Sequence, residues 1–239
     1  MSSLLTKREG ALTRLTLNRP DKANALSAEL VDALLDAVTL AHTDGTRLLV
    51  LQGEGRNLSA GFDFGGYETQ SEGDLVLRFV RIEQLLQAVY HAPFATLAIA
   101  YGKNFGAGVD LFAAASVRIA APDTSFRMPG LRFGLQLGTR RLAQRIGGEK
   151  ARAILADSRT FDAMAARDIG FVTHVAEQKY WDPVLAKELE RAMALEPDAT
   201  SRLHAATLTD TRAADLADLV ASAARPGLKA RIAEYRKQS

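Results

Sequence analysis

The chain has 239 residues, of which 47% are hydrophobic and 24% are charged, and its formal net charge is +2. This length and composition are typical of a globular protein with one large domain or two small ones. Acidic and basic residues are interspersed, so the sequence indicates neither a nucleic-acid partner nor a membrane surface. The absence of cysteine excludes disulfides and thiol chemistry. No apolar run approaches the roughly 18 residues of a membrane span, and we expect a cytoplasmic protein.

Strand and helix patterns alternate over the first two-thirds of the chain. The first predicted elements are a hairpin over 4–9 and 11–18, a helix from Ser27 to Gly45, a buried strand at 47–52 and a helix over 72–91. A second buried strand at 94–101 runs into a glycine-rich turn that opens a small-residue helix. Short strands on either side of Pro122, a helical stretch over 139–157 and a strand at 171–175 follow. Such alternation predicts a mostly parallel sheet covered by helices, which is an α/β fold.

The pattern from Trp181 onward is entirely helical. Its apolar residues keep helical spacing, but the segments are rich in alanine and charge, so they need a partner surface to be stable. This tail is therefore predicted to be either a small subdomain or an arm that docks on a neighbouring subunit.

Two glycine-rich turns follow the two buried strands. "SAGFDF" (59–64) follows the strand at 47–52, and "FGAGVD" (105–110) follows the strand at 94–101. If these strands are neighbours, both turns lie at the carboxyl edge of the sheet, where open α/β sheets bind ligands. Backbone N–H groups at two adjoining helix starts would form an oxyanion hole. Small residues keep this backbone accessible, namely Ala60, Gly61, Gly106, Ala107 and Gly108.

For the first turn taken alone, an ordinary strand-to-helix loop is the competing interpretation, with Asp63 as the helix N-cap. A dinucleotide-binding turn is excluded, because "GKNFGAG" is not G-x-G-x-x-G.

Five segments carry a family resemblance, and they are, in order, "NRPDKANALS" (18–27), "NLSAGFDF" (57–64), "IAYGKNFGAGVDL" (99–111), "RIAAPDTSFRMPGLRFGL" (118–135) and "LADSRTFDAMAARDIGFVTHVA" (155–176). Together they resemble the crotonase superfamily, the enoyl-CoA hydratases and isomerases. The C-terminal "GLKARIAEYRKQ" is similar to the last helix of that family. The resemblance implies a crotonase-like spiral of ββα units over residues 1–180 and a C-terminal helical trimerisation region over 181–239.

The resemblance also implies the ligand and its contacts. The ligand is an acyl-CoA thioester whose carbonyl lies between the backbone N–H groups of Phe62 and Ala107. Coenzyme A belongs to the substrate, and no separate cofactor is expected. The implied substrate-binding residues are Lys22, Ala23 and Asn24 of "KANAL", which resembles the stretch that meets the CoA adenine, together with Ala60, Gly61, Gly106, Gly108 and Gly130. A homotrimer, or a hexamer made of two trimers, is implied as well.

No metal site is expected, because the four histidines have no ligand spacing: they are His42, His91, His174 and His204.

The sequence departs from the family pattern at the catalytic acids. A hydratase of this family uses two carboxylates on one water. By resemblance the first is Asp110, which is one methylene shorter than glutamate, and the second position is Gly130, which has no carboxyl. Gln136 and Arg140, in a contracted loop, are the only polar groups positioned to replace it, and neither is a good base near neutral pH, so the replacement stays open.

Because hydration needs both a general acid and a general base, the loss of one carboxylate should weaken it. A proton shuttle on Asp110 alone, as in double-bond isomerisation, could survive, and so could hydrolysis or decarboxylation that relies on the oxyanion hole. We expect an isomerase or hydratase. The alternative from another class is a catalytically silent acyl-CoA-binding or interaction subunit.

Overall fold

The structure is a computed structural model that describes residues 2–238. Its strands are β1 (Leu4–Glu9), β2 (Leu12–Leu17), β3 (Leu48–Gly53), β4 (Ala95–Ala100), β5 (Lys103–Phe105), β6 (Val117–Ala120), β7 (Ser125–Arg127), β8 (Phe161–Asp162) and β9 (His174–Val175). Its α-helices are α1 (Ala28–Ala41), α2 (Glu72–Tyr90), α3 (Ala107–Ala114), α4 (Thr139–Ile146), α5 (Gly148–Asp157), α6 (Ala163–Asp168), α7 (Trp181–Met193), α8 (Pro197–Thr207), α9 (Arg212–Ala223) and α10 (Leu228–Lys237). The chain is therefore a mixed α/β protein, as predicted.

The main sheet has six strands in the order β1-β2-β3-β4-β6-β9. The first pair is the predicted antiparallel hairpin, and every later pair is parallel. A second sheet of three strands has the order β5-β7-β8. Since β3 and β4 are direct neighbours, the two glycine-rich turns leave the same edge of the sheet, which confirms the condition on which the predicted site depends.

Both faces of the main sheet are covered. One face and helices α1, α2 and α3 form the large core. The other face presents a smaller apolar cluster, in which Leu97 and Ile99 of β4 pack with Leu185 and Ala192 of α7. Two buried faces explain why the central strands are continuous apolar runs rather than alternating ones.

The helices from Trp181 dock on the preceding chain. Helix α7 covers the smaller apolar cluster, α9 packs against α2, and α10 packs against the short 3₁₀ turn Gly130–Phe133. Over residues 2–238, no helix combines the length and the apolar character that a membrane crossing requires.

Several element predictions need correction. The helical stretch predicted over 139–157 is two helices, because Gly147 between them has φ +86° and breaks the hydrogen-bond pattern. The strand predicted at 171–175 is only His174–Val175. Strands β5 and β8 and helix α6 were not predicted, since two to six residues are too few for a periodic pattern.

Candidate active site

The two glycine-rich turns touch each other. A Cβ atom on Gly61, whose φ is +85°, would lie 2.4 Å from the carbonyl oxygen of Phe105 and 3.2 Å from the backbone nitrogen of Ala107. A Cβ atom on Gly108 would lie 2.5 Å from the carbonyl oxygen of Ser59. Glycine is required at both positions, because any side chain would force the turns apart.

Two backbone N–H groups at this contact have no hydrogen-bond acceptor within residues 2–238. They belong to Phe62 in the first turn and to Ala107, the first residue of α3. Neighbouring donors are paired, at Gly61 with Ser59 Oγ (3.1 Å), at Asp63 with the carbonyl of Leu26 (3.2 Å) and at Gly106 with the carbonyl of Arg127 (2.8 Å). Buried N–H groups are rarely left unpaired, so this pair indicates a place for an external acceptor.

Both residues line one apolar cavity of about 260 Å³. Its walls include Ala60, Phe62, Phe64, Phe79, Phe105, Gly106, Ala107, Asp110, Met128, Pro129, Gly130, Leu131, Phe133, Leu135, Leu137, Thr139, Leu155, Tyr235 and Arg236. Most of this surface is aromatic or aliphatic, and only three of these side chains carry polar groups besides the Tyr235 hydroxyl. A concave apolar site with few polar groups is the usual form of a small-molecule site.

Asp110 is the only carboxylic acid that lines the cavity in the described part of the chain. It lies on α3, three residues after Ala107, and is 4% exposed. Its Oδ1 atom is buried without a hydrogen-bond partner. Burial raises the pKa of Asp110 well above its ordinary value; the Arg141 cation opposes this and the Glu83 carboxylate adds to it. The site therefore makes Asp110 a weaker acid, and its carboxylate a stronger base, than an exposed aspartate.

Gly130 also lines the cavity and brings no carboxyl group to it. It begins the 3₁₀ turn Gly130–Phe133, and a Cβ atom there would lie 3.1 Å from the carbonyl oxygen of Leu135. A side chain at this position would press closely on that carbonyl oxygen, but the backbone φ of Gly130 does not require glycine.

The "KANAL" segment adjoins the first turn without lining the cavity. The carbonyl of Ala23 accepts the N–H of Ala60 at 2.9 Å. Asn24 is fully buried and its amide donates to the carbonyl of Asn57 at 2.9 Å, while Lys22 is exposed. Ala23 and Asn24 both have left-handed φ angles, +48° and +53°. Strain of this kind persists where the surrounding structure holds the backbone firmly.

Two expectations about single residues are wrong. Asp63 is not a helix N-cap: its carboxylate pairs with Arg19 at 2.8 Å and accepts the N–H of Gly65 at 2.8 Å. Gln136 and Arg140 do not replace the missing glutamate, because neither lines the cavity.

Instead, both side chains reach α9. The Gln136 amide lies 3.2 Å from Asp218 Oδ2, and Arg140 lies 3.2 Å from Asp215 Oδ1. Thr139 is the residue of this loop that reaches the cavity.

Sequence reasoning also missed the wall that α10 supplies. Tyr235 packs on Phe133 with ring centroids 5.2 Å apart, and the Arg236 guanidinium lies 5.4 Å from the ring centre of Tyr67. Arg231 anchors the helix by donating to the carbonyl of Phe133 at 3.1 Å. The aromatic residues in "GLKARIAEYRKQ" and "GLRFG" were the available signal, but contact between segments about a hundred positions apart has no local pattern.

In the described chain, no group of three or more histidine, aspartate or glutamate side chains is arranged to hold a metal ion. The fold and the site together define an α/β protein with an apolar cavity at the carboxyl edge of a parallel sheet.

Comparison with known proteins identifies the family. Residues 7–229 match the family model described as enoyl-CoA hydratase/isomerase. The chain is 30% identical over 189 residues to the probable enoyl-CoA hydratase echA6 of Mycobacterium bovis, covering 77% of this chain and 75% of that protein. It is 31% identical over 186 residues to a probable enoyl-CoA hydratase of Bacillus subtilis, covering 76% and 69%.

A crystal structure of an enoyl-CoA hydratase/isomerase candidate from Bordetella parapertussis superposes with a TM-score of 0.98 at 54% identity, covering 99% of each chain. The enoyl-CoA hydratase of Bacillus halodurans has the same fold, with a TM-score of 0.86 at 20% identity, covering 98% of this chain and all of that one. The chain belongs to the enoyl-CoA hydratase/isomerase family, in the crotonase superfamily.

Proposed function

We propose that this protein isomerises the double bond of an acyl-CoA thioester and stabilises the thioester enolate between the N–H groups of Phe62 and Ala107. The observation that carries the proposal is the pair of unpaired N–H groups facing one apolar cavity that contains a single carboxylic acid. The names of the relatives, enoyl-CoA hydratases, support an enoyl-CoA substrate.

The thioester oxygen accepts the N–H of Phe62 in the first turn and the N–H of Ala107 at the start of α3, where the helix dipole is positive. These preset donors stabilise the negative charge that develops on the oxygen when the α-proton leaves. Ala60 and Gly106 line the cavity and leave this backbone open to the substrate, whereas Gly61 and Gly108 act by letting the two turns approach each other.

Asp110 moves the proton. As a carboxylate it takes a proton from C2 of a 3-enoyl thioester, and the double bond shifts from C3–C4 to C2–C3. The same carboxyl group then returns that proton to C4, so no water or second acid is consumed. A raised pKa suits this shuttle, because an acid and base used in one cycle works best with a pKa near the working pH.

The acyl group is apolar, since the aromatic and aliphatic walls offer it no hydrogen-bonding partner beyond the few polar groups named above. Gly130 leaves room for it. Coenzyme A enters as part of the substrate, and its adenine meets the chain at Lys22 and Ala23 beside the first turn, while the buried Asn24 holds the backbone of this segment in place.

The test is incubation with 3-enoyl-CoA thioesters in deuterated water. We expect the conjugated 2-enoyl product. Deuterium should enter C4, and C2 on reversal, in the turnovers in which the Asp110 carboxyl group exchanges its proton with solvent before returning it. Asp110→Asn should lose both, while CoA-thioester binding measured by calorimetry stays within about threefold of the wild type. Asp162→Asn is the matched control, because Asp162 is an exposed N-cap of α6 and asparagine also caps helices.

Turnover of 3-enoyl-CoA by Asp110→Asn at the wild-type rate would refute the assignment of Asp110. Tight thioester binding by the wild type without isomerisation, hydration or exchange would instead favour the catalytically silent acyl-CoA binder. The absence of a carboxyl group at Gly130 is the observation that favours this second candidate, because one of the two acids needed for hydration is missing.

A further inference from the structure

The far end of α3 is held by two arginines. The helix has only eight residues, and all of them are buried, so its C-terminal carbonyl groups cannot reach water. Arg145 of α4 donates from Nε to the carbonyl of Ala113 at 3.0 Å and from Nη2 to that of Ala115 at 3.0 Å. Arg118 of β6 donates from Nη1 to the carbonyl of Ala115 at 2.9 Å.

Arg118 is buried and Arg145 is half-buried, and it is unusual for such cations that neither is paired with a carboxylate within residues 2–238. Every hydrogen bond that their guanidinium groups make is to a backbone carbonyl. Burial lowers the pKa of Arg118 to about 9 and also lowers the pKa of Arg145. Two guanidinium groups without a carboxylate partner therefore lie at the negative end of this helix, and that of Arg145 also lies 4.9 Å from the ring centre of Tyr90.

The same helix carries Ala107 and Asp110 at its other end. Eight residues span about 12 Å, a distance over which charges in a protein interior still interact. Cations at the C-terminus of α3 offset the partial negative charge of its carbonyl groups, so that this charge weakens the positive potential at the N-terminus less. Arg145 also fixes the end of the helix that carries Ala107, because it holds the carbonyl groups of Ala113 and Ala114, and both arginines hold the carbonyl of Ala115, the residue that caps the helix.

We propose that Arg145 and Arg118 are positioning residues for the oxyanion site, acting through α3 to orient and polarise the N–H donor of Ala107. Neither residue lines the cavity or touches a substrate there. This inference rests on the proposed function, since it concerns the strength of the same oxyanion contact.

The test is the infrared carbonyl stretch of an acyl-CoA thioester that carries ¹³C at the carbonyl. In the wild-type complex the stretch should move to lower frequency than in water, because the N–H donors polarise the carbonyl. Arg145→Met, which removes charge and donors at similar length, should reduce that shift by about half or more. It should also lower kcat about tenfold with KM within about twofold. Arg145→Lys keeps the charge but not the paired donors, so its carbonyl shift should lie between that of the wild type and that of Arg145→Met.

Arg47→Met is the matched control. Arg47 also donates to helix-terminal carbonyls, at 2.8 Å to that of Ala192, but it does so on α7, away from the cavity. Its loss should lower the melting temperature without changing the carbonyl shift. A merely structural role for Arg145 would make the two variants behave alike.

The outcomes separate the two claims. No carbonyl shift in the wild-type complex would refute the oxyanion hole itself. A wild-type shift that is unchanged in folded Arg145→Met would overturn the present inference. Arg118→Met is the second measurement, and should it fail to fold, the Arg145 variants decide, because Arg145 is only half-buried.

Discussion

Asp110 is a buried acid without a fixed partner for Oδ1, and this has a consequence for stability. Its pKa is higher in the folded chain than in the unfolded chain, because burial penalises the charged form. The folded state therefore holds the proton more tightly. This contribution to stability is complete below the unfolded pKa and is lost as the pH rises through the raised folded pKa.

Asp110→Asn cannot titrate, so we predict that its advantage over the wild type grows as the pH rises. The difference in free energy of unfolding should increase by at least about 1 kcal/mol between about pH 4 and pH 8, since one pKa unit corresponds to about 1.4 kcal/mol. Urea denaturation of both proteins at a series of pH values measures it. Parallel stability profiles would show that Asp110 does not titrate abnormally.

At the scale of the element, the 3₁₀ turn that begins at Gly130 decides whether the site has one acid or two. Gly130→Glu restores a carboxyl group at the position where the family carries one. We predict that hydration of crotonyl-CoA rises at least about tenfold, which corresponds to about 1.4 kcal/mol of transition-state stabilisation.

The same substitution should cost some stability, because the new Cβ atom lies 3.1 Å from the carbonyl oxygen of Leu135. Gly130→Gln has nearly the same volume and cannot act as a base, so it is the control. If the glutamine variant hydrates crotonyl-CoA as fast as the glutamate variant, the gain does not come from general acid–base catalysis.

A buried ion pair joins α2 to α4 behind the cavity. Arg141 and Glu83 are 1% exposed each, and Arg141 Nη1 donates to Glu83 Oε1 at 3.0 Å. Asp215 of α9 lies 3.6 Å from Arg141, so three helices meet at one guanidinium group. Removing Glu83 leaves the buried Arg141 charge with Asp215 alone, 3.6 Å away, and loss of one partner of a buried ion pair costs more than the pair itself contributes.

We therefore predict that Glu83→Gln lowers the free energy of unfolding by about 3 kcal/mol or more. The double variant Glu83→Leu with Arg141→Met should recover much of this loss, because no unpaired charge remains between α2 and α4. Urea denaturation of the single and double variants forms the cycle that measures the coupling. Strictly additive losses would contradict the coupling.

At the scale of the whole molecule, the tail from Trp181 covers the core and still exposes apolar side chains. Met193 is 52% exposed, Leu195 45% and Leu203 50%. Exposed apolar residues grouped on one region mark an interaction surface. We expect this region to contact neighbouring subunits in a homotrimer, or in a hexamer of two trimers.

Truncation after Val175 should cause aggregation. It removes α7, which covers Leu97 and Ile99 on the second face of the sheet, and α10, which closes the cavity. Size-exclusion chromatography with light scattering compares the truncated and full-length chains. A truncated protein that stays soluble and monomeric, or a full-length chain that is monomeric, would contradict the trimer.

Local patterns in the sequence were sufficient for much of the architecture. Alternating apolar residues predicted the hairpin, and the two buried runs predicted β3 and β4. The glycine-rich turns after these runs predicted a site at one edge of the sheet if the two strands are neighbours, and only glycine tolerates the approach seen at Gly61. These features depend on neighbours a few residues apart, and for that reason a single sequence contains them.

Other features exist only after the chain has folded. The loop containing Gln136 and Arg140 reaches α9 instead of the cavity, and α10 returns to form one of the cavity walls. The partners of Arg145, on α3, are about thirty positions away. Even the residue that the sequence singled out, Asp110, owes its raised pKa to burial. Contacts between distant segments and exclusion of water have no local signature, so the tertiary structure alone decides them.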